Sequence, residues 1–170
     1  FIWSMFLNGD CSLVSRPISH LRHPTYEVQY LPWSKHDVWY SNKYDTIPQL
    51  IQALPSDFIH ILGVHNITNV QQDNLVYSME NGTLVGASNG SAMDDGQQGT
   101  YAYCLCDYYH DNGKIQGSQL VPDYDYITYL TSEHYGALSV IICLKILTLY
   151  SPPTAKHEVK IFIDNEEVIR

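Results

Sequence analysis

Three β-forming segments follow one another between Leu84 and Val121, and short, turn-rich connections join them. Leu84–Ser88 leads into a Gly-rich and acidic turn, Asn89–Gly99, and Thr100–Asp107 follows as a second strand rich in β-formers. The turn His110–Gly113 contains Asn112-Gly113, a pair suited to the positive φ angles of a primed hairpin turn. Lys114–Val121 then runs back as a third strand, so the spacing predicts an antiparallel meander. A helix comes next. Thr131 and Ser132 offer hydroxyl N-caps before an acidic first turn at Glu133. Ala137, Leu138, Ile141, Leu144 and Leu149 recur at helical spacing, and Ser151-Pro152-Pro153 stops the element. Glu158–Ile163 is a fourth strand, and a strand–helix–strand passage predicts a right-handed parallel crossover. The expected fold class is therefore α/β: a mixed sheet of three antiparallel strands, a helix and a parallel strand.

Upstream signals are weaker. Pro17, Pro24 and Pro32 interrupt any long element in the first 45 residues, which read as extended segments and loops. Ile47–Leu54 is predicted as a short helix, with Thr46 as N-cap, Pro48 in the first turn and Pro55 closing it. Phe58–Val64 is an apolar strand candidate. Gln71–Met79 reads as a second short helix ended by Asn81-Gly82, a pair that tolerates a left-handed C-cap. The chain thus divides into an irregular, connection-like N-terminal extension over residues 1–80 and an ordered domain over 81–170. It begins without Met and stops just as another helix is expected, so it reads as a fragment.

Composition narrows the function classes. No apolar run approaches the ~20 residues that cross a bilayer, which predicts a soluble, intracellular protein without a membrane partner. The formal net charge is −9, from 9 basic and 18 acidic residues. That counts against phosphate-backbone binding, which rewards Lys and Arg through counterion release. Cys104 and Cys106 share one strand face, but a lone Cys-x-Cys is a poor zinc signature, and small apolar residues in a reducing compartment explain Cys11, Cys104, Cys106 and Cys143. The eight histidines form no His-x-x-x-His pair with a neighbouring acid. Ala92-Met93-Asp94-Asp95 lacks the Tyr of a polymerase palm turn. Three N-x-[ST] sequons, at Asn66, Asn81 and Asn89, keep a secreted glycoprotein open as an alternative.

The ordered half carries polar residues at the ends of its elements: Ala87-Ser88-Asn89-Gly90-Ser91-Ala92, then Ser132-Glu133-His134-Tyr135-Gly136, then Phe162-Ile163-Asp164-Asn165. In this order the segment resembles the front of a ribonuclease H-like domain, most closely those attached to retroelement reverse transcriptases. That family opens with a strand ending in Asp-Gly-Ser/Ala, continues with two antiparallel strands and a helix with Glu in its first turn, and reaches a strand ending in Asp. The resemblance implies two-metal hydrolysis of the RNA strand of an RNA–DNA hybrid, with Mg²⁺ (or Mn²⁺) held by carboxylates. Carried over, Glu133 and Asp164 are the metal ligands, and Asn89 stands at the catalytic position where the family has its first Asp. A neutral amide cannot supply the charge that two cations require, and the family's fourth acidic ligand would lie beyond Arg170. Metal binding is therefore expected to be weak or absent and cleavage impaired. The implied partners are the hybrid and the remainder of a reverse-transcriptase polyprotein. The alternative is a non-catalytic scaffold or nucleic-acid-binding module that keeps the fold.

Overall fold

The structure, a computed structural model, describes residues 2–7, 13–17, 44–63, 69–110, 113–122, 126–151 and 157–163. Its elements run β1 (Ile2–Leu7), β2 (Leu13–Pro17), α1 (Ile47–Gln52), α2 (Ser56–Leu62), α3 (Asn69–Glu80), β3 (Leu84–Ala92), β4 (Gly99–Asp107), β5 (Lys114–Leu120), α4 (Tyr129–Tyr150) and β6 (His157–Ile163). The strands form one sheet in the order β2-β1-β6-β3-β4-β5. The expected meander is present, with β3 antiparallel to β4 and β4 to β5. β6 returns after α4 to lie parallel to β3, from Val85↔Lys160 to Ser88↔Ile163. The α/β class and the mixed sheet agree with the sequence pattern. The centre of the expected hairpin turn, Asp111 and Asn112, lies outside the described residues, as do Pro152 and Pro153.

α4 explains the core. Between Ser139 and Leu149 every residue except Ile141 is buried, so the helix is apolar nearly all round rather than along one stripe. Such a helix needs cover on every side. β3 and β4 lie against it, and α1 and α2 also pack on it. Ile47, Leu50, Ile51, Leu62, Leu75 and Met79 join Val140, Leu144 and Leu147 in one hydrophobic cluster. By length and composition alone the 22-residue α4 is apolar enough to cross a membrane, but most of its most apolar stretch is covered inside the fold.

Two upstream expectations are corrected. Residues 1–80 are not an irregular extension where they are described. β1 pairs with β6, β2 with β1, and three helices contribute to the core. The described part of the expected strand Phe58–Val64, residues 58–63, is not a strand either; Ser56–Leu62 is helical, with the Phe58 and Ile59 amides donating to the Pro55 carbonyl, and Val64 lies outside the described residues. Its last carbonyls would otherwise lack partners, as at any helix end. Instead Tyr101 Oη donates to Ile61 O at 2.6 Å and Tyr103 Oη to Leu62 O at 2.5 Å. Two tyrosines of β4, about 40 residues away in sequence, thus stabilise the helical alternative to a short apolar run. The expected helices over Ile47–Leu54 and Gln71–Met79 form as α1 and α3, and Thr46 caps α1 by accepting from the Gln49 amide.

Candidate functional site

The expected site depends on where β3 meets the start of α4. Side chains alternate across a strand, and in β3 Gly86, Ser88 and Gly90 turn toward the helix. A Cβ on Gly90 would sit 2.4 Å from the Glu133 amide nitrogen, and one on Gly136 would lie 3.1 Å from Ser88 Cβ. The backbones therefore approach more closely than side chains allow, and glycine at 90 is a steric requirement of this packing. Ala87, Asn89 and Ser91 point the other way and are exposed. Around them on that open face lies a depression of about 550 Å³, lined by Asn89, Ser91, Thr100, Ala102, Ser118 and Leu120.

Two site expectations change. Asn89 is not the first residue of a turn; β3 continues to Ala92, Asn89 pairs with Ala102, and the connection begins at Met93. Small residues with no β-branch hid the strand's second half, but alternating burial makes them fit a sheet that has one covered face. Glu133 is not in the first turn of its helix. Thr128 is the N-cap, its Oγ1 accepting from the Thr131 amide at 3.0 Å, which puts Glu133 one turn further in. Thr131 and Ser132, expected as caps, are helical.

That shift places Glu133 deep. It is 0% exposed, and neither carboxylate oxygen has a hydrogen-bond partner among the described residues. The Ser88 hydroxyl, on the strand beneath, is likewise buried and unpartnered. Buried polar groups are nearly always hydrogen-bonded, so two orphans in one contact are a departure from what folding alone selects. The structure thus brings Glu133 against the backbone just after Asn89, while the Asn89 side chain stands on the opposite face of the sheet. Asp164 lies outside the described residues; the last described pair of the parallel ladder, Ser88↔Ile163, precedes both Asn89 and Asp164 in sequence.

Hard divalent ions demand several oxygen ligands. Among the described residues no three His, Cys, Asp or Glu side chains are grouped to hold a metal. Glu133 alone offers a buried carboxylate without a partner, so the described part of the site fits a cation only in part, and Asp164 is the remaining candidate ligand. His134, beside Glu133 in sequence, is exposed, and its Nδ1 lies 2.8 Å from the Leu130 carbonyl.

A second carboxylate shows what a satisfied acid looks like in the same molecule. Asp107, at the end of β4, accepts from Ser78 Oγ and Thr83 Oγ1 at 2.5 Å each, and from the Tyr109 and His110 amides at 2.7 and 2.9 Å. His110 Nδ1 adds a contact at 3.1 Å. Burial opposes ionisation, but these hydrogen bonds outweigh it and hold the Asp107 carboxyl well below the usual carboxylate range. The sequence did not single out Asp107; its partners come from α3, the 81–83 turn and the residues after β4. Elsewhere burial pushes the Tyr101 hydroxyl up to about 12, the nearby Tyr135 adding to the effect, and burial raises the Cys143 thiol beneath Tyr103.

No protein-family model, curated protein or solved structure matches the chain.

Proposed function

We propose that the chain is the front of a ribonuclease H-type domain from a reverse-transcriptase-like protein, in which cleavage of the RNA strand of a hybrid is impaired. The observation that carries this reading is Glu133: a fully buried carboxylate with no partner among the described residues, at the helix–strand contact one residue beyond Asn89. The strand order β6-β3-β4-β5, with β6 parallel and the rest antiparallel, supports it. Mg²⁺ or Mn²⁺, when bound, would supply charge stabilisation for phosphodiester hydrolysis. Glu133 and Asp164 would hold it; Asn89, a neutral amide where the resemblance expects a carboxylate, stands on the opposite face of the sheet from Glu133 and adds no charge there. A second reading, a non-catalytic scaffold that keeps the fold, is favoured by the same amide and by the net charge of −9.

Calorimetric titration with Mn²⁺ tests the site. Asn89→Asp is expected to bind Mn²⁺ more tightly than the unaltered chain, and Glu133→Gln more weakly. Equal affinities in all three would remove the metal site and with it the nuclease reading. Tighter binding by Asn89→Asp without cleavage of a hybrid would favour the scaffold reading.

A further inference from the structure

The chain contains the dipeptide Asn-Gly four times, at Asn8, Asn81, Asn89 and Asn112; Asn8 and Asn112 lie outside the described residues, and the fold treats the other two in opposite ways. We infer that Asn81-Gly82 is a site of spontaneous deamidation, and that packing of α4 on β3 shields Asn89-Gly90 from the same reaction. In an Asn-Gly pair the glycine's missing side chain leaves its amide nitrogen unhindered. That nitrogen attacks the Asn Cγ; the new N–Cγ bond forms, the Cγ–Nδ2 bond breaks, and ammonia leaves with the glycine amide proton. Water then opens the cyclic imide at either carbonyl, giving aspartate or isoaspartate. One water is consumed and one ammonia released, with no oxidant or reductant.

Ring closure requires the backbone at Asn to rotate out of helical or strand geometry. Its rate in a folded protein therefore follows the free energy of the smallest opening that permits the rotation. Asn81 is exposed at the end of α3, and Gly82 has φ +68° with nothing within 4 Å of the place a Cβ would take. The ties that must be released are Asn81 Nδ2 donating to Tyr77 O at 2.7 Å and Gly82 N donating to Met79 O at 3.2 Å. Both belong to the last helical turn, where fraying leaves the sheet intact.

Asn89 is held otherwise. It lies inside nine-residue β3, paired with Ala102 and flanked by ladder partners on both sides. Gly90 is buried with its Cβ position 2.4 Å from the Glu133 nitrogen and 2.5 Å from the Ser132 carbonyl carbon. Rotation at Asn89 would break the β3–β4 ladder and drive Gly90 into α4, so it requires the core to open. Global opening of a domain typically costs about 5 kcal/mol or more, against little for a frayed end. In the folded chain Asn81 is expected to convert more than about a hundredfold faster than Asn89. The product at 81 loses the donor to Tyr77 and places a negative charge at the C-terminal end of a helix, where the dipole disfavours it. The inference does not depend on the nuclease reading, but it has a bearing on it: the fold preserves an amide at the position where the resemblance expects a carboxylate.

Peptide mapping by mass spectrometry tests this. The full chain is aged in mildly alkaline buffer, in parallel with a sample in concentrated guanidinium, and the peptides bearing Asn81 and Asn89 are followed for conversion of amide to acid. The expected result is conversion at Asn81 with Asn89 intact in the folded sample, and similar rates at both in denaturant. An Asn81→Gln variant should lose the signal on its own peptide. Comparable rates at the two sites in the folded sample, or conversion of Asn89 first, would overturn the inference.

Discussion

The two faces of β3 carry the same kinds of residue, small and mostly polar, and the fold uses them for opposite ends. On the covered face Gly90 lets the α4 backbone come into contact, so that an added Cβ must displace the helix, while one at Gly86 would meet the Val140 side chain. On the open face Ala87, Asn89 and Ser91 are exposed among the described residues, and Asn89 and Ser91 border a shallow depression. Identical residue chemistry is therefore a packing requirement on one side and a free choice on the other. The difference shows that composition alone cannot tell a structural glycine from a turn glycine.

The sharpest way to break this comparison is Gly90→Ala. The new methyl would land on the Ser132–Glu133 backbone, which cannot give way as a flexible side chain would. Destabilisation of about 3 kcal/mol or more is expected, at the severe end of overpacking. Ser91→Ala, one residue along on the open face, should stay within about 0.5 kcal/mol of the unaltered chain. Urea unfolding midpoints of the two variants decide the matter, and similar losses would mean that the two faces are equally constrained.

Glu133→Met comes next and has the opposite sign. Burying a polar group without a partner costs about 1–3 kcal/mol. Replacing the orphan carboxylate by an apolar side chain of similar length is expected to stabilise the fold by about that amount. A gain in stability on losing an acid would mark Glu133 as retained for something other than folding. A loss would show that the carboxylate has a partner beyond the described residues.

Asp107→Asn provides the contrast between an orphan acid and a satisfied one. Hydrogen bonds to a charged group contribute about 1.5–3 kcal/mol each, and the substitution weakens several at once, so a loss of about 2–3 kcal/mol at neutral pH is expected. The sign of the pH dependence follows from the direction of the shift. The folded carboxyl lies below its unfolded value, so its stabilisation is fully present above the ordinary Asp range near pH 4. It is lost progressively as pH falls below that range toward the folded value. The stability gap between the unaltered chain and Asp107→Asn should be constant from neutrality to about pH 5 and narrow on further acidification. A gap independent of pH down to strong acid would mean that Asp107 is not held ionised by its five contacts.

How much of this was legible in the sequence differs between the two halves. The meander, the apolar helix and the parallel return of β6 were readable because each element carries its own period. Phe58–Val64 was not, since a seven-residue apolar run suits either state and the deciding hydrogen bonds come from Tyr101 and Tyr103. Glu133 was identified by its order among other acids, but its burial was hidden because Thr131 and Ser132 look like better caps than Thr128. The missed end of β3 has the same origin: Asn89-Gly90-Ser91 has turn composition, and only the approach of α4 shows why a strand needs glycine there.

The smallest expected effect on stability belongs to the substitution that tests the proposed metal site. Asn89→Asp changes an exposed side chain on the open face, with no described helix above it and Ala102 as its partner on β4. Aspartate suits strands poorly, so a loss of no more than about 0.5 kcal/mol is expected. The added charge acts instead on cations. With the amide, the described residues offer one buried carboxylate, Glu133; with aspartate, a full negative charge is added one residue before the Gly90–Glu133 contact. At an effective dielectric near 20, two unit charges about 4 Å apart interact by about 4 kcal/mol, and a charge on the opposite face of the sheet from Glu133 acts over a longer distance and contributes less. A tenfold rise in Mn²⁺ affinity needs only about 1.4 kcal/mol of that. Raising the salt concentration should shrink the gain if the site is solvent-accessible, because screening acts on exposed charges first. An Asn89→Asp chain of unchanged stability and unchanged Mn²⁺ affinity would show that the open face around residue 89 and the buried acid across the strand are separate features, and the proposed metal site would fall with that result.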